Sequence, residues 1–205
     1  MTAPLKIAIA GLGTVGMGTI EILRVNSQVL ARRAQRPFEV VAVSARDRGR
    51  DRGADISNFC WYDDPVKMAT EVDCDVVLEL IGGSGGIAKS VCENAIAKGR
   101  HIVTANKALL ALHGTELARA SESAGVAFCY EAAVAGGIPV IKTLRESLSG
   151  NSVSRIQGIL NGTCNFILSS MRTSGSAFEE VLAEAQKLGY AESEPSLDID
   201  GIDAA

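Results

Sequence analysis

The 205-residue chain is short of histidine, of aromatic residues and of charge of one sign, and each shortage closes off a class of function. Its 2 histidines, His101 and His113, are too few and too far apart to suggest a histidine metal site. A formal net charge of -4, with a pI near 5.3, provides no broad basic field, so nucleic acid is not the expected partner. No apolar run approaches the ~18 residues a membrane span requires, and the apolar start over residues 5–16 is taken up by a glycine turn. The expectation is a protein of the cytoplasm with no membrane partner. Cys60, Cys74, Cys92, Cys129 and Cys164 are odd in number and contain no C-x-x-C pair, so neither a disulfide framework nor a zinc site is indicated.

What is present is an ordinary globular balance, 47% hydrophobic and 21% charged, in a length that suits one large domain or one and a half. The apolar stretch Lys6-Ile7-Ala8-Ile9-Ala10 runs directly into Gly11-Leu12-Gly13-Thr14-Val15-Gly16 and then into a helical pattern that continues to about Ala34. A strand, G-x-G-x-x-G and a helix in that order make a dinucleotide-binding turn. Gly11 allows the tight turn, Gly13 lets backbone approach a pyrophosphate, and Gly16 lets the helix pack close on the strand. The amides at the helix start face the phosphates.

Residues 38–43 read as the next strand. In such folds the residue at its end chooses the cofactor: an acid holds a ribose 2'-hydroxyl, whereas arginine accommodates a 2'-phosphate. Here the strand runs into Ser44-Ala45-Arg46-Asp47-Arg48 with no carboxylate at its end, so Arg46 and Arg48 point to NADP, with NAD as the alternative. Residues 55–64 read as a polar connection whose Trp61, the 1 tryptophan, is a packing residue. Asp64-Pro65 is a helix start.

Residues 76–81 are a nearly continuous apolar run, as in a parallel strand covered on both faces. They end in Gly82-Gly83-Ser84-Gly85-Gly86, a second glycine-rich loop at a strand's carboxyl end and so at the ligand-binding rim. A helix over 87–98 and a strand over 101–104 lead to Asn106-Lys107. A lysine opening a helix opposes the helix dipole by a few tenths to about 1 kcal/mol, so Lys107 is a candidate to contact nicotinamide or substrate. Further expectations are helices over 115–124, from the turn after Glu131 to about 148, over 166–171 and over 177–188. Strands are expected over 126–130 and 152–160. The fold class is α/β, a Rossmann-type doubly wound parallel sheet over 1–131, followed by the start of a second α+β substrate and dimerisation domain over 132–205.

Taken together, several stretches resemble the homoserine dehydrogenase family. They are Gly11 to Gly16, Thr104-Ala105-Asn106-Lys107, Tyr130-Glu131-Ala132 through Gly136-Gly137-Ile138-Pro139, Asn161-Gly162-Thr163, Leu188-Gly189-Tyr190-Ala191-Glu192, and Asp198 to Ala205. The resemblance implies reversible NADPH- or NADH-dependent reduction of aspartate 4-semialdehyde to homoserine, on the route to threonine and methionine, by a homodimer. It assigns Lys107 to the cofactor and substrate, Glu192 to the substrate amino group and Asp203 to substrate orientation; Gly82 and Gly83 belong to the cofactor rim by their place at the strand end. Asp198, after the crossover, also suits a polar substrate.

The resemblance further implies a sodium ion held by the Glu131 side chain and by carbonyls around Val134, Gly136 and Ile138, a donor set that suits a hard cation. The plainer role for Glu131 is to cap a turn. A catalytic lysine is expected four residues beyond Asp203, one helical turn on, and the 205 residues stop before it; weak cofactor binding and little turnover are expected of the chain as given. Two other functions compete. One is a semialdehyde dehydrogenase acylating Cys164, although no histidine follows that cysteine to act as base. The other is a non-catalytic nicotinamide-binding sensor.

Overall fold

A six-stranded parallel sheet carries the first part of the chain, in the order β3-β2-β1-β4-β5-β6. The computed structural model describes residues 2–191 and 195–204. In chain order the elements begin with β1 (Leu5–Ala10), α1 (Thr14–Val25), α2 (Ser27–Ala34), β2 (Phe38–Ser44), β3 (Cys60–Tyr62) and α3 (Pro65–Glu71). They continue with β4 (Val76–Glu79), α4 (Ile87–Ala97), β5 (His101–Thr104), α5 (Lys107–Ala124), β6 (Phe128–Cys129) and α6 (Val140–Lys142), then α7 (Gly162–Ser174), α8 (Phe178–Leu188) and α9 (Ser196–Ile199). Contacts divide the chain into two units, Met1–Ser149 and Gly150–Ala205. The small-residue turn after Glu131, where the sequence suggests a crossover, lies inside the first unit.

The strand sequences explain why the sheet is covered on both sides. Side chains alternate faces with a period of two. Ile7, Ile9, Val43, Val76 and Leu78 therefore join one buried cluster, while Ala8, Ala10, Ala42, Val77 and Ile102 join another with Met68, Val91, Leu109 and Leu117 of the helices. Each fully buried side chain the size of Ile9, Ile102, Leu109 or Leu117 contributes about 1.5–3 kcal/mol relative to exposure. β1 pairs with β2 on one edge and with β4 on the other, so the chain direction across the sheet reverses between β1 and β4. At that point a crevice opens beyond the carboxyl ends of the strands.

Several local expectations are corrected. The helical pattern to Ala34 breaks at Asn26, whose backbone (φ -98, ψ 14) separates α1 from α2. The connection over 55–64 contains β3, because Cys60, Trp61 and Tyr62 pair in parallel register with Ala42, Val43 and Ser44. The separate pieces expected around Lys107 and Thr115 form one helix, α5.

After Glu131 the chain makes short turns instead of a long helix. Gly136 takes a left-handed conformation (φ 61) and Pro139 has no amide to donate. Regular helix starts only at Val140 and widens over Thr143–Ser147, where the Leu148 amide reaches back to the Thr143 carbonyl at 2.9 Å.

In the second unit, residues 152–160 form no strand. Among the described residues none of their amides or carbonyls joins a ladder, and Val153, Ile156, Ile159 and Leu160 are exposed. A strand exists only by pairing, and β-branched residues without a partner strand do not supply one. The unit's described core is instead helical, with Ile167 of α7 and Val181 and Ala185 of α8 buried against Ala191. Among the described residues no helix is long and apolar enough to cross a membrane.

Candidate functional site: a cavity at the switch point

A cavity of about 690 Å³ opens in the crevice between β1 and β4, within the size range of small-molecule and cofactor sites. Its floor is the first glycine turn. Gly11 has φ +107, and a Cβ there would stand 2.3 Å from the Leu80 carbonyl oxygen. A Cβ on Gly16 would stand 2.0 Å from the Gly11 carbonyl oxygen, so α1 sits against the turn it leaves. A Cβ on Gly13 would meet nothing within 4 Å, and Gly13 lines the cavity beside Gly11 and Leu12. No side chain caps α1 and no acid lies in its first turn. By helix geometry the first amides of α1, at Thr14, Val15 and Gly16, have no carbonyl partner within the helix, and the positive end of the helix dipole lies at this turn. Such a terminus is suited to an anion.

The opposite wall is the second glycine loop, held by a network that sequence reasoning missed. Glu79, the last residue of β4, is completely buried. Its Oε1 accepts the amides of Ile81 (2.9 Å) and Gly82 (3.3 Å), and its Oε2 accepts the Thr104 hydroxyl at 2.7 Å. Three donors offset the cost of burying a carboxylate. Thr104 Oγ1 accepts the Asn106 amide at 3.0 Å, Asn106 Nδ2 donates to the Gly83 carbonyl at 2.8 Å, and Asn106 Oδ1 caps α5 through the Leu109 amide at 3.1 Å. The loop containing Gly82 and Gly83 is therefore tied to the start of α5, where Lys107 is exposed as the first helical residue. The only signal in the sequence was an acid at the end of an otherwise apolar strand.

The third wall is the segment after β2. Ser44 is 2% exposed and lines the cavity, yet its hydroxyl has no hydrogen-bond partner among the described residues. Arg46, Arg50 and Arg52 line the same cavity. Arg48 does not: its guanidinium lies over the Trp61 ring, 5.9 Å from the centroid, and it lines a separate small pocket.

Cys92, buried on α4, has its thiol pushed up to about 12, chiefly by burial and then by the Glu79 charge. It takes no part in nucleophilic chemistry.

Glu131 caps a turn, the plainer of its two expected roles. Its Oε1 accepts the Ile141 amide at 3.1 Å and its Oε2 the Lys142 amide at 2.9 Å, so the carboxylate caps the helical turn at 140–142. The Val134 and Ile138 carbonyls accept the amides of Gly137 (3.0 Å) and Val140 (2.7 Å). The carbonyls of Val134, Gly136 and Ile138 are hard oxygen donors of the kind sodium takes, and each Glu131 carboxylate oxygen, after accepting one amide, keeps a lone pair of the same kind.

In the second unit Asn161 is a hub. Its Nδ2 donates to Asp198 Oδ1 at 2.7 Å and to Asp203 Oδ2 at 3.0 Å, and its Oδ1 caps α7 through the Cys164 amide at 2.7 Å. Two of the three acids expected at a substrate site are thus brought together; the third, Glu192, lies outside the described residues. Cys164 donates its Sγ proton to the Asp198 carbonyl at 3.0 Å, so its thiol takes part in the same cluster.

A parallel sheet in this strand order, with a glycine turn and an uncapped helix start at its switch point, defines a Rossmann-type dinucleotide-binding protein. Comparison with known proteins narrows the class. Residues 11–131 match the family model described as "Homoserine dehydrogenase, NAD binding domain", and residues 139–205 match "Homoserine dehydrogenase". The chain is similar to the homoserine dehydrogenase of Pseudomonas aeruginosa, 50% identical over 98% of this chain and 46% of that protein. The crystal structure of a homoserine dehydrogenase from Thiobacillus denitrificans superposes with a TM-score of 0.79 at 46% identity, over 98% of this chain and 46% of that one. A hyperthermophilic archaeal homoserine dehydrogenase in complex with NADPH superposes with a TM-score of 0.77 at 26% identity, over 99% and 66%.

The chain belongs to the homoserine dehydrogenase family. It spans about half the length of the curated relatives it matches. The two family models leave a gap between 131 and 139, whereas contacts divide the chain at Ser149.

Proposed function

We propose that this chain supplies the cofactor site and part of the substrate site of an NADP-linked homoserine dehydrogenase, interconverting aspartate 4-semialdehyde and homoserine on the route to threonine and methionine. The observation that carries the cofactor reading is the buried Ser44 hydroxyl, without a partner among the described residues, set in a cavity lined by the glycine turn before an uncapped helix and by three arginines. In this reading the amides at the start of α1 hold the pyrophosphate, with Gly13 allowing close approach. Ser44 meets the adenosine ribose, and Arg46 and Arg50 take its 2'-phosphate. Arg50 replaces Arg48, which is engaged with Trp61.

The nicotinamide, when bound, supplies the hydride chemistry. Lys107, at the rim beside the Asn106 network, stabilises negative charge on the substrate oxygen or holds the carboxamide of the ring. Asp198 and Asp203, gathered by Asn161, and Glu192 receive the polar end of the amino-acid substrate. A sodium ion would brace the turn through the Glu131 carboxylate and the carbonyls of Val134, Gly136 and Ile138. Dimerisation through the second unit belongs to the same proposal and is checked by light scattering.

Two measurements test the reading. NADPH is expected to raise the melting temperature of the chain, with Arg46→Glu abolishing the preference for NADPH over NADH; an unchanged preference removes the 2'-phosphate assignment. Steady-state NADP reduction by homoserine is then compared between this chain and one extended to the length of its relatives. Turnover in neither, together with no homoserine-dependent thermal protection, overturns the dehydrogenase in favour of a nicotinamide-binding sensor.

A further inference from the structure

The segment between β2 and β3 carries both arginines assigned above to the 2'-phosphate, and they sit on exposed backbone. Neither guanidinium makes a hydrogen bond among the described residues. A third arginine does the opposite. Arg52 Nη1 donates to the Arg50 carbonyl at 2.8 Å, and its Nη2 donates to the Asp47 carbonyl, so one guanidinium ties two points of the segment together. The same guanidinium lies over the Trp61 ring, 5.5 Å from its centroid, and its Nε has no hydrogen-bond partner among the described residues.

Trp61 is itself fixed. It pairs with Val43 across the β2–β3 ladder, packs partly buried against the cluster containing Val43 and Ile9, and donates Nε1 to Asp63 Oδ1 at 2.7 Å. A planar cation stacked on an aromatic face and forked onto two carbonyls is a rigid strut. It joins a segment that would otherwise sample many conformations to the edge of the sheet.

We propose that Trp61 and Arg52 form a positioning device for NADPH selectivity. The Trp61 ring holds the Arg52 guanidinium, which fixes the backbone at residues 47 and 50 and so presents Arg46 and Arg50 to the 2'-phosphate already oriented. Arranging these side chains in advance lowers the ordering cost of binding. The pyrophosphate contact lies on another wall, and Ser44, the ribose contact, is held at the end of β2 by pairing with Ala10 and Tyr62 and not by the strut, so the device acts on the 2'-phosphate alone. The inference rests on the reading that Arg46 and Arg50 face that phosphate.

Calorimetric titration of NADPH and NADH into the wild type and into Trp61→Leu, Trp61→Phe and Arg52→Lys separates the two ideas. Loss of a stacked cation corresponds to about a fivefold change in affinity. Trp61→Leu and Arg52→Lys are expected each to weaken NADPH by about that factor, with NADH unchanged, while Trp61→Phe keeps most of the preference. NADH affinity serves as the control for folding. The double variant Trp61→Leu/Arg52→Lys is expected to be no weaker than either single variant, because both remove one device. A wild-type preference for NADPH that survives in Trp61→Leu, or an equal loss of both cofactors, overturns the strut and leaves the 2'-phosphate reading standing. Equal wild-type affinity for the two cofactors overturns both.

Discussion

The carboxylate of Glu79 accepts the hydroxyl of Thr104 at 2.7 Å entirely inside the sheet, and with its other oxygen it holds the amides of Ile81 and Gly82. The ends of two neighbouring strands are thereby locked to the loop that forms one wall of the cavity. Three donors point at this one acid, so Glu79→Gln turns an amide NH2 toward at least one of them. Leaving a buried donor unpaired costs about 1–3 kcal/mol. Urea unfolding is expected to show a loss of that size, with NADPH binding weakened as the 80–86 loop loosens. An unchanged midpoint would mean that the loop is held by its glycine geometry alone.

Three glycines on one turn of chain respond differently to alanine. Gly16→Ala puts a methyl 2.0 Å from the Gly11 carbonyl oxygen and is expected to lower both stability and cofactor affinity. Gly13→Ala has open space in the protein, and φ -82 suits alanine, so the melting temperature should hold while NADPH affinity falls at least about tenfold, or about 1.4 kcal/mol. Gly18→Ala, within α1 and without close neighbours, is expected to stabilise by about 0.5–1 kcal/mol with binding intact. Unaltered cofactor binding in Gly13→Ala would place the pyrophosphate elsewhere.

Asn161 keeps Asp198 and Asp203 within hydrogen-bond distance of one amide group. Removing it in Asn161→Ala uncaps α7 and costs about 0.5–2 kcal/mol. Asn161→Asp keeps the cap but sets a third carboxylate against two others, and like charges at that distance disfavour ionisation. At pH 7 the aspartate variant is therefore expected to be the less stable of the two, recovering on mild acidification as the cluster takes up a proton. Thermal melts at pH 7 and pH 5 decide it; identical pH responses for both variants would count against the cluster.

Burial raises the Cys92 thiol from its ordinary 9.0 to about 12. The folded protein therefore holds that proton where the unfolded chain releases it. The stability this provides is complete below pH 9 and is lost as pH rises from about 9 towards 12. Alkylation by iodoacetamide at pH 8.5, followed by mass spectrometry, is expected to label the exposed Cys60 and Cys129 and to spare Cys92 until the protein unfolds. Rapid labelling of Cys92 in the native state would show that α4 opens readily.

Much of the site could be read from residue order. Gly11, Gly13 and Gly16 carry their geometry in the spacing, and a continuous apolar run before the second glycine loop marked a strand covered on both faces. Arg46 was legible as a cavity residue because it follows closely on the end of β2. Arg48 and not Arg50 was expected beside Arg46, because alternate residues on an irregular segment have no period to separate them; Arg48 stacks on Trp61, and Arg50 lines the cavity. Glu79 and Ser44 were illegible for another reason. Each sits in an apolar strand pattern, and its partner, or lack of one, depends on strands far away in sequence.

The sequence alone determined the alternation of strands and helices, the glycine turn and the family, because these follow from local periodicity and from motifs of fixed spacing. Tertiary structure decided that residues 60–62 extend the sheet and that residues 152–160 form no strand among the described residues. It also decided that Glu131 caps a turn and that Asn161 gathers two acids. Pairing, capping and burial are relations between segments distant along the chain, and no local pattern of residue types specifies them.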